Sequence, residues 1–299
     1  MKPLFFPFPG NEAYSEGLRG SLEAETGRLT LHRFPDGESY LRFETEVRDR
    51  EVVLVCTLDH PDQKLIPLLM AAATARDLGA RRVGLVAPYL AYLRQDCRFH
   101  PGESVTSVYV ARLLSTSFGW LVTMDPHLHR YASLGEIYAI PTEVVAAAPA
   151  LSAWLKTEVS DGVLIGPDAE SAQWVRAVAA GAGLPHVVLE KVRRGDRDVS
   201  VSVPDLARWP GRTPVLVDDI ISTGHTMIAA VRHLVRSGLK PPVCLAVHGI
   251  FAGEAHAELL AAGAVRIVTT DSIPHATNAI PTAGLLAKVL RTRVQESVR

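Results

Sequence analysis

Short apolar runs recur along the chain, each followed by a polar or glycine-rich turn and usually by a helical pattern. They include EVVLVCTLD, RVGLVAPYL, WLVTMDPH, GVLIGPDAES, PHVVLEK, TPVLVDDI, VCLAVHGIF and VRIVTTDSI. Such runs suit strands buried on both faces, and strands of this kind alternating with helices build parallel α/β sheets. Between them lie helix-like segments such as KLIPLLMAAATARDLGA and HTMIAAVRHLVRSG. In the second, Met227, Ile228, Val231, Leu234 and Val235 fall on one face, and Gly238 is a stop signal. The rhythm runs twice: one block ends near PTEVV, around residue 143, and another begins at GVLIGPD. The spacing therefore predicts an α/β fold of two similar parallel-sheet domains, residues 1–142 and 143–277. The tail, 278–299, reads as a final helix packing back on the N-terminal domain.

Length and charge narrow the functions. A chain of 299 residues accommodates two domains of about 150 residues each. The net charge of −1 advertises no basic field for nucleic acid or a membrane surface. No apolar run approaches the ~20 residues of a membrane span. The three cysteines, Cys56, Cys97 and Cys244, are scattered without a CxxC pair, as expected of reduced thiols. The start, MKPLFFPFPG, is broken by three prolines and has no export-type apolar core, so a cytoplasmic protein is expected.

In open parallel sheets, ligands bind beyond the carboxyl ends of the strands. The strand exits carry Asp125 and His127, Asp168, Lys191 with Arg193 and Arg194, and Asp218 with Asp219. Singly, an Asp after a strand is most often a turn former or helix cap, and a lone His is most often structural. TPVLVDDIISTGHTM is the sharper signal. A buried strand ends on two adjacent carboxylates and enters a turn, Ser222 to Thr226, that opens a helix. Successive backbone N–H groups and a helix N-terminus make an anion nest, to which Thr223 and Thr226 add hydroxyls, while Gly224 permits close backbone approach. The carboxylates repel the same phosphate and suit vicinal hydroxyls or a bridging cation. A phosphate cup beside a hydroxyl-binding acid pair describes a sugar phosphate.

VLVDDIISTGHT closely resembles the phosphoribosyl-diphosphate (PRPP) binding motif of type I phosphoribosyltransferases and of PRPP synthetases, the ribose-phosphate pyrophosphokinases. Further stretches resemble the second group: RFPDGESYLRF its FxDGE motif, APYLAYLRQDCRF its RQD segment, and TMDPHLH its D-x-H element. GPDAES and LEKVRRGDRDVSV resemble its PD turn and its flexible catalytic loop, in a spelling closer to the short-loop archaeal-type enzymes. The resemblance implies two domains of the type I phosphoribosyltransferase kind, and transfer of a diphosphoryl group from Mg²⁺-ATP to the C1 hydroxyl of ribose 5-phosphate. It implies Lys191 and Arg193 as catalytic cations, and only six of the chain's 31 Lys and Arg residues are lysines, which makes Lys191 a poor candidate for surface filler. It places His127 and Asp168 at the metal. Phe34, Asp36, Glu38, Arg94, Gln95 and Asp96 fall to ATP; Asp218, Asp219, Ser222, Thr223, Gly224, His225 and Thr226 fall to ribose 5-phosphate. In the family the hairpin residues come from a neighbouring subunit, so a homo-oligomer, dimer or higher, is implied.

Two positions depart from the family pattern. His225 stands where a second glycine is usual, and it costs backbone energy if that position needs a positive φ, or else adds a ring contact. Glu170 follows GPDA where a small residue is usual, placing an acid near a phosphate site. Two rivals differ in class: a non-catalytic regulatory subunit, and a phosphoribosyltransferase that consumes PRPP. Retention of Lys191, Arg193, Asp168 and both motif aspartates argues against the first, and the FPDGE and RQD stretches argue against the second.

Overall fold

The computed structural model describes residues 2–194, 198–202 and 208–296, with backbone alone for 170, 190–194, 198–202 and 295–296. The chain divides into two compact units, Met1–Val145 with Ala283–Arg299, and Ala146–Thr282. In the first unit the order is β1 (Leu4–Pro7), α1 (Glu12–Gly20), β2 (Glu25–Thr26), a hairpin of β3 (Leu29–Arg33) and β4 (Ser39–Phe43), and β5 (Glu51–Val55). Then come α2 (Pro61–Asp77), β6 (Arg82–Ala87), α3 (Thr106–Ser117), β7 (Trp120–Met124) and β8 (Thr142–Val145). Strands β2-β1-β5-β6-β7-β8 form one parallel sheet, and β3 and β4 pair only with each other.

The second unit repeats the plan. After α4 (Ala148–Glu158) come β9 (Gly162–Gly166), α5 (Ala172–Ala182), β10 (His186–Val188), a hairpin of β11 (Glu190–Arg194) and β12 (Asp198–Ser202), and β13 (Thr213–Ile221). The chain continues through α6 (His225–Arg236), β14 (Val243–Gly249), α7 (Ala255–Ala261), β15 (Arg266–Thr270) and β16 (Asn278–Ile280), and α8 (Ala283–Glu296) returns to the first unit. The sheet order β10-β9-β13-β14-β15-β16, again parallel, matches the first strand for strand. In each unit an antiparallel hairpin is inserted between the second and third sheet strands.

Sequence explains the elements. β5, β7, β9 and β14 are buried along their whole length, as strands covered on both faces must be. Helix α6 buries Met227, Ile228, Ala230, Val231 and Leu234 against a core that includes Ile165, Leu216 and Ala246. Val235 shares that face but is 40 % exposed. The helix stops as expected: Gly238 takes φ +74°, its N–H donates to the Val235 carbonyl, and Leu239 N–H donates to the Leu234 carbonyl. In α2, Pro67 deprives the Gln63 carbonyl of its intrahelical donor, and the Arg33 guanidinium of the hairpin supplies one at 3.3 Å. Gly17 of α1 lies so close to Ala283 of α8 that an added Cβ would stand 2.9 Å from the Ala283 Cβ.

Candidate active site

In the second unit the chain order reverses at β9, with β10 on one side and β13 on the other, and the crevice at such a point is where ligands bind. β13 pairs with β9 only from Thr213 to Leu216, whereas β14 accompanies it to Ile221. Asp218 and Asp219 therefore sit on a stretch of strand that has outrun its neighbour. Asp168, two residues beyond β9, enters the gap, and its negative charge acts on Asp218. It also has a structural duty, since its Oδ1 accepts the Ser171 N–H at 3.3 Å and its carbonyl accepts the Ser171 hydroxyl at 2.6 Å.

Burial first, then the charges of Asp219 and Asp168, pushes the Asp218 carboxyl up to about 8. The group therefore holds its proton to a higher pH than an ordinary carboxyl, and a cation beside it would favour the charged form. Asp219 N–H donates to Asp218 Oδ1 at 3.0 Å and fixes the carboxyl against the backbone. The oxygen donors here suit a hard divalent ion such as Mg²⁺. Among the described residues no group of three or more His, Cys, Asp or Glu side chains is arranged to hold a metal. A cation here would therefore keep water or substrate oxygens, as Mg²⁺ usually does.

The turn after β13 puts its left-handed residue at Gly224, φ +71°, and His225 opens α6 with a negative φ. The expected conflict at His225 does not arise, because the backbone demand falls one residue earlier. The first helical hydrogen bond, Ile228 N–H to the Gly224 carbonyl, is 2.7 Å long. The N–H groups before it are the ones a helix leaves without internal partners. From below, Ile250 and Phe251 N–H both donate to the Ile221 carbonyl, and Ala252 N–H donates to the Ser222 carbonyl, each at 3.0 Å. Phe251 holds φ +48°, a strained value for an aromatic residue, and packs against His275 and His256. This support was not legible in sequence, since Phe gives no hint of a positive φ.

In the first unit the exits of β5, β6 and β7 are followed by His60, Tyr92 and Asp125, all with positive φ, and strain of this kind collects at functional sites. Arg94 is exposed. Gln95 Oε1 accepts the Ser104 hydroxyl at 3.1 Å, and the Gln95 carbonyl accepts Ser107 N–H at 3.3 Å. Asp96 is buried and tied to the loop after β7: its Oδ1 accepts the Arg130 guanidinium at 2.6 Å, and its Oδ2 accepts Arg130 N–H at 3.2 Å. The Tyr131 hydroxyl donates to the Asp96 carbonyl at 3.1 Å, and the Arg130 guanidinium lies 5.3 Å from the Phe99 ring centroid. The RQD loop and the loop bearing His127 are thereby strapped together by Arg130, which sequence reading missed.

Phe34, Asp36 and Glu38 lie at the tip of the β3–β4 hairpin. Phe34 N–H donates to the Glu38 carbonyl at 2.7 Å, Glu38 N–H donates to Asp36 Oδ1 at 3.2 Å, and Gly37 takes φ +97°. Phe34 is 42 % exposed and touches His32 and Tyr40 edge-on, leaving an aromatic surface at the tip. Lys191 and Arg193 fall on β11, opposite Val201 and Val199, but their side chains lie outside the described residues, as does that of Glu170.

The second unit and its site define a class: residues 133–283 match the phosphoribosyl transferase domain. Residues 5–117 match the N-terminal domain of ribose phosphate pyrophosphokinase. The chain is 37 % identical over 272 residues to the ribose-phosphate pyrophosphokinase of Methanopyrus kandleri, covering 88 % of this chain and 92 % of that one. It is 34 % identical over 263 residues to that of Saccharolobus solfataricus, covering 86 % and 89 %. The crystal structure of phosphoribosylpyrophosphate synthetase from Mycobacterium smegmatis superposes with a TM-score of 0.84 at 25 % identity, over 99 % of this chain and 100 % of that one. The chain belongs to the ribose-phosphate pyrophosphokinase family and is an enzyme of that transferase class. No helix among the described residues is long and apolar enough to cross a membrane.

Proposed function

We propose that the enzyme transfers the β,γ-diphosphoryl group of ATP to the C1 hydroxyl of ribose 5-phosphate, giving PRPP and AMP. The C1 oxygen forms its bond to the β-phosphorus as the bond between that phosphorus and the α–β bridging oxygen breaks. The observation that carries the reading is the meeting of Asp168, Asp218 and Asp219 beside the Gly224 turn, at the point where the sheet order reverses. The Ser222–Thr226 turn holds the 5-phosphate, with Thr223, His225 and Thr226 at its rim. Asp218 and Asp219 hold the ribose hydroxyls. Arg94 and Gln95 face ATP, and Asp96 shapes that loop through Arg130. Phe34, Asp36 and Glu38 serve the adenine of a neighbouring subunit in a homo-oligomer. Lys191 and Arg193 stabilise charge on the transferring oxygens. Asp168 and His127 would each serve Mg²⁺, whose chemistry would be charge neutralisation on the phosphates. A cytoplasmic setting suits these substrates.

Calorimetry on an Asp218→Asn, Asp219→Asn variant tests the sugar assignment. Ribose 5-phosphate affinity is expected to fall by about tenfold or more, on the scale of lost charge-assisted hydrogen bonds, while ATP binding stays unchanged. Undiminished sugar phosphate binding contradicts it.

A further inference from the structure

The exit of β7 brings two imidazoles together. His127 and His129 place their Nε2 atoms 2.6 Å apart, with ring centroids at 4.3 Å and planes inclined by 76°. At that separation the two ring nitrogens meet directly, on neighbouring positions of one loop. Two imidazoles in adjacent positions on a cation with bonds of ~2.1 Å stand about 3 Å apart, so a small opening of the pair suffices. The loop is held for this by its flanks, with Asp125 at φ +31° before it and Arg130 fastened to Asp96 after it. Two nitrogen donors favour the borderline cations Mn²⁺, Co²⁺, Ni²⁺ and Zn²⁺ over the hard, oxygen-seeking Mg²⁺.

We infer that His129 is a second nitrogen ligand beside His127, and that the pair gives the enzyme's cation site a preference for borderline transition cations. The inference rests on the reading of His127 as a cation-site residue. The test adds Co²⁺ to metal-free, full-length enzyme, follows its visible absorption, and competes it with Mg²⁺. The wild type is expected to bind Co²⁺ more tightly than Mg²⁺. His129→Ala is expected to lose about tenfold or more in Co²⁺ affinity, the scale on which a ligand's surroundings act, and to keep its Mg²⁺ affinity. His275→Ala, which removes the other close histidine pair, with His256 at 5.2 Å between ring centroids, should leave the spectrum intact. Wild-type Co²⁺ affinity in His129→Ala, equal weakening of both ions, or loss of the spectrum in His275→Ala overturns the inference. AMP formation with Mg²⁺ in the same samples reports on the reaction separately.

Discussion

At the turn after β13, the left-handed backbone belongs to Gly224 and not to His225. A Cβ on Gly224 would meet Ile228 Cδ1 at 3.4 Å, an ordinary contact, so the cost of Gly224→Ala is conformational rather than steric. That variant is expected to lose about 1 kcal/mol of stability by denaturant titration and to raise KM for ribose 5-phosphate. His225→Gly, which restores the family's usual spelling, should stabilise nothing and cost a little helix propensity. Asp218 supplies a pH prediction. Its carboxyl is raised to about 8 in the folded chain from an ordinary 3.8, so the folded state binds the extra proton between those values. Stability therefore falls as pH rises through that window. Urea titrations from pH 5 to pH 9 without divalent ions should show the decline, and Asp218→Asn should flatten it; an unchanged slope would remove the cause assigned here.

Among the elements, α6 and the Arg130 strap invite separate tests. Leu234 is fully buried and Val235 is 40 % exposed, although periodicity puts both on the apolar face. Leu234→Ala should cost about 2–5 kcal/mol by chemical unfolding, and Val235→Ala roughly half a kcal/mol or less. Arg130→Ala leaves the buried Asp96 carboxylate without its cation and should cost about 1.5–3 kcal/mol. It should also raise KM for ATP, an effect that Asp96 and Arg130 produce together and that a variant of either one reproduces. Such pairings explain which parts of the site sequence could show. Sequence pointed to Asp168, Asp218 and Asp219 only as a set, because a single Asp after a strand is most often a turn former, as Asp168 also is for Ser171. The strap was not legible, because Asp96 and Arg130 lie 34 residues apart and only the sheet brings their loops together. The Phe251 support under the turn depends on a backbone angle that no side chain announces.

Taken whole, the molecule uses one topology twice: strand order, hairpin insertion and direction all recur between the two units. The alternation of apolar runs and helices foretold two similar parallel-sheet domains; the strand-for-strand order was not legible, since the residues themselves do not repeat. Each sheet offers its carboxyl-end loops, and the two sets have diverged chemically. The first carries the RQD segment and the paired histidines; the second carries the acid cluster and the phosphate-type turn. Lys191 and Arg193 belong to the hairpin that corresponds in chain position to the one bearing Phe34, Asp36 and Glu38. The most direct measurement is phosphorus NMR of the purified enzyme with Mg²⁺, ATP and ribose 5-phosphate, beside the Lys191→Ala variant. The account predicts equimolar AMP and a new C1 diphosphate, both lost in the variant. ADP in place of AMP, or undiminished turnover without Lys191, would contradict it.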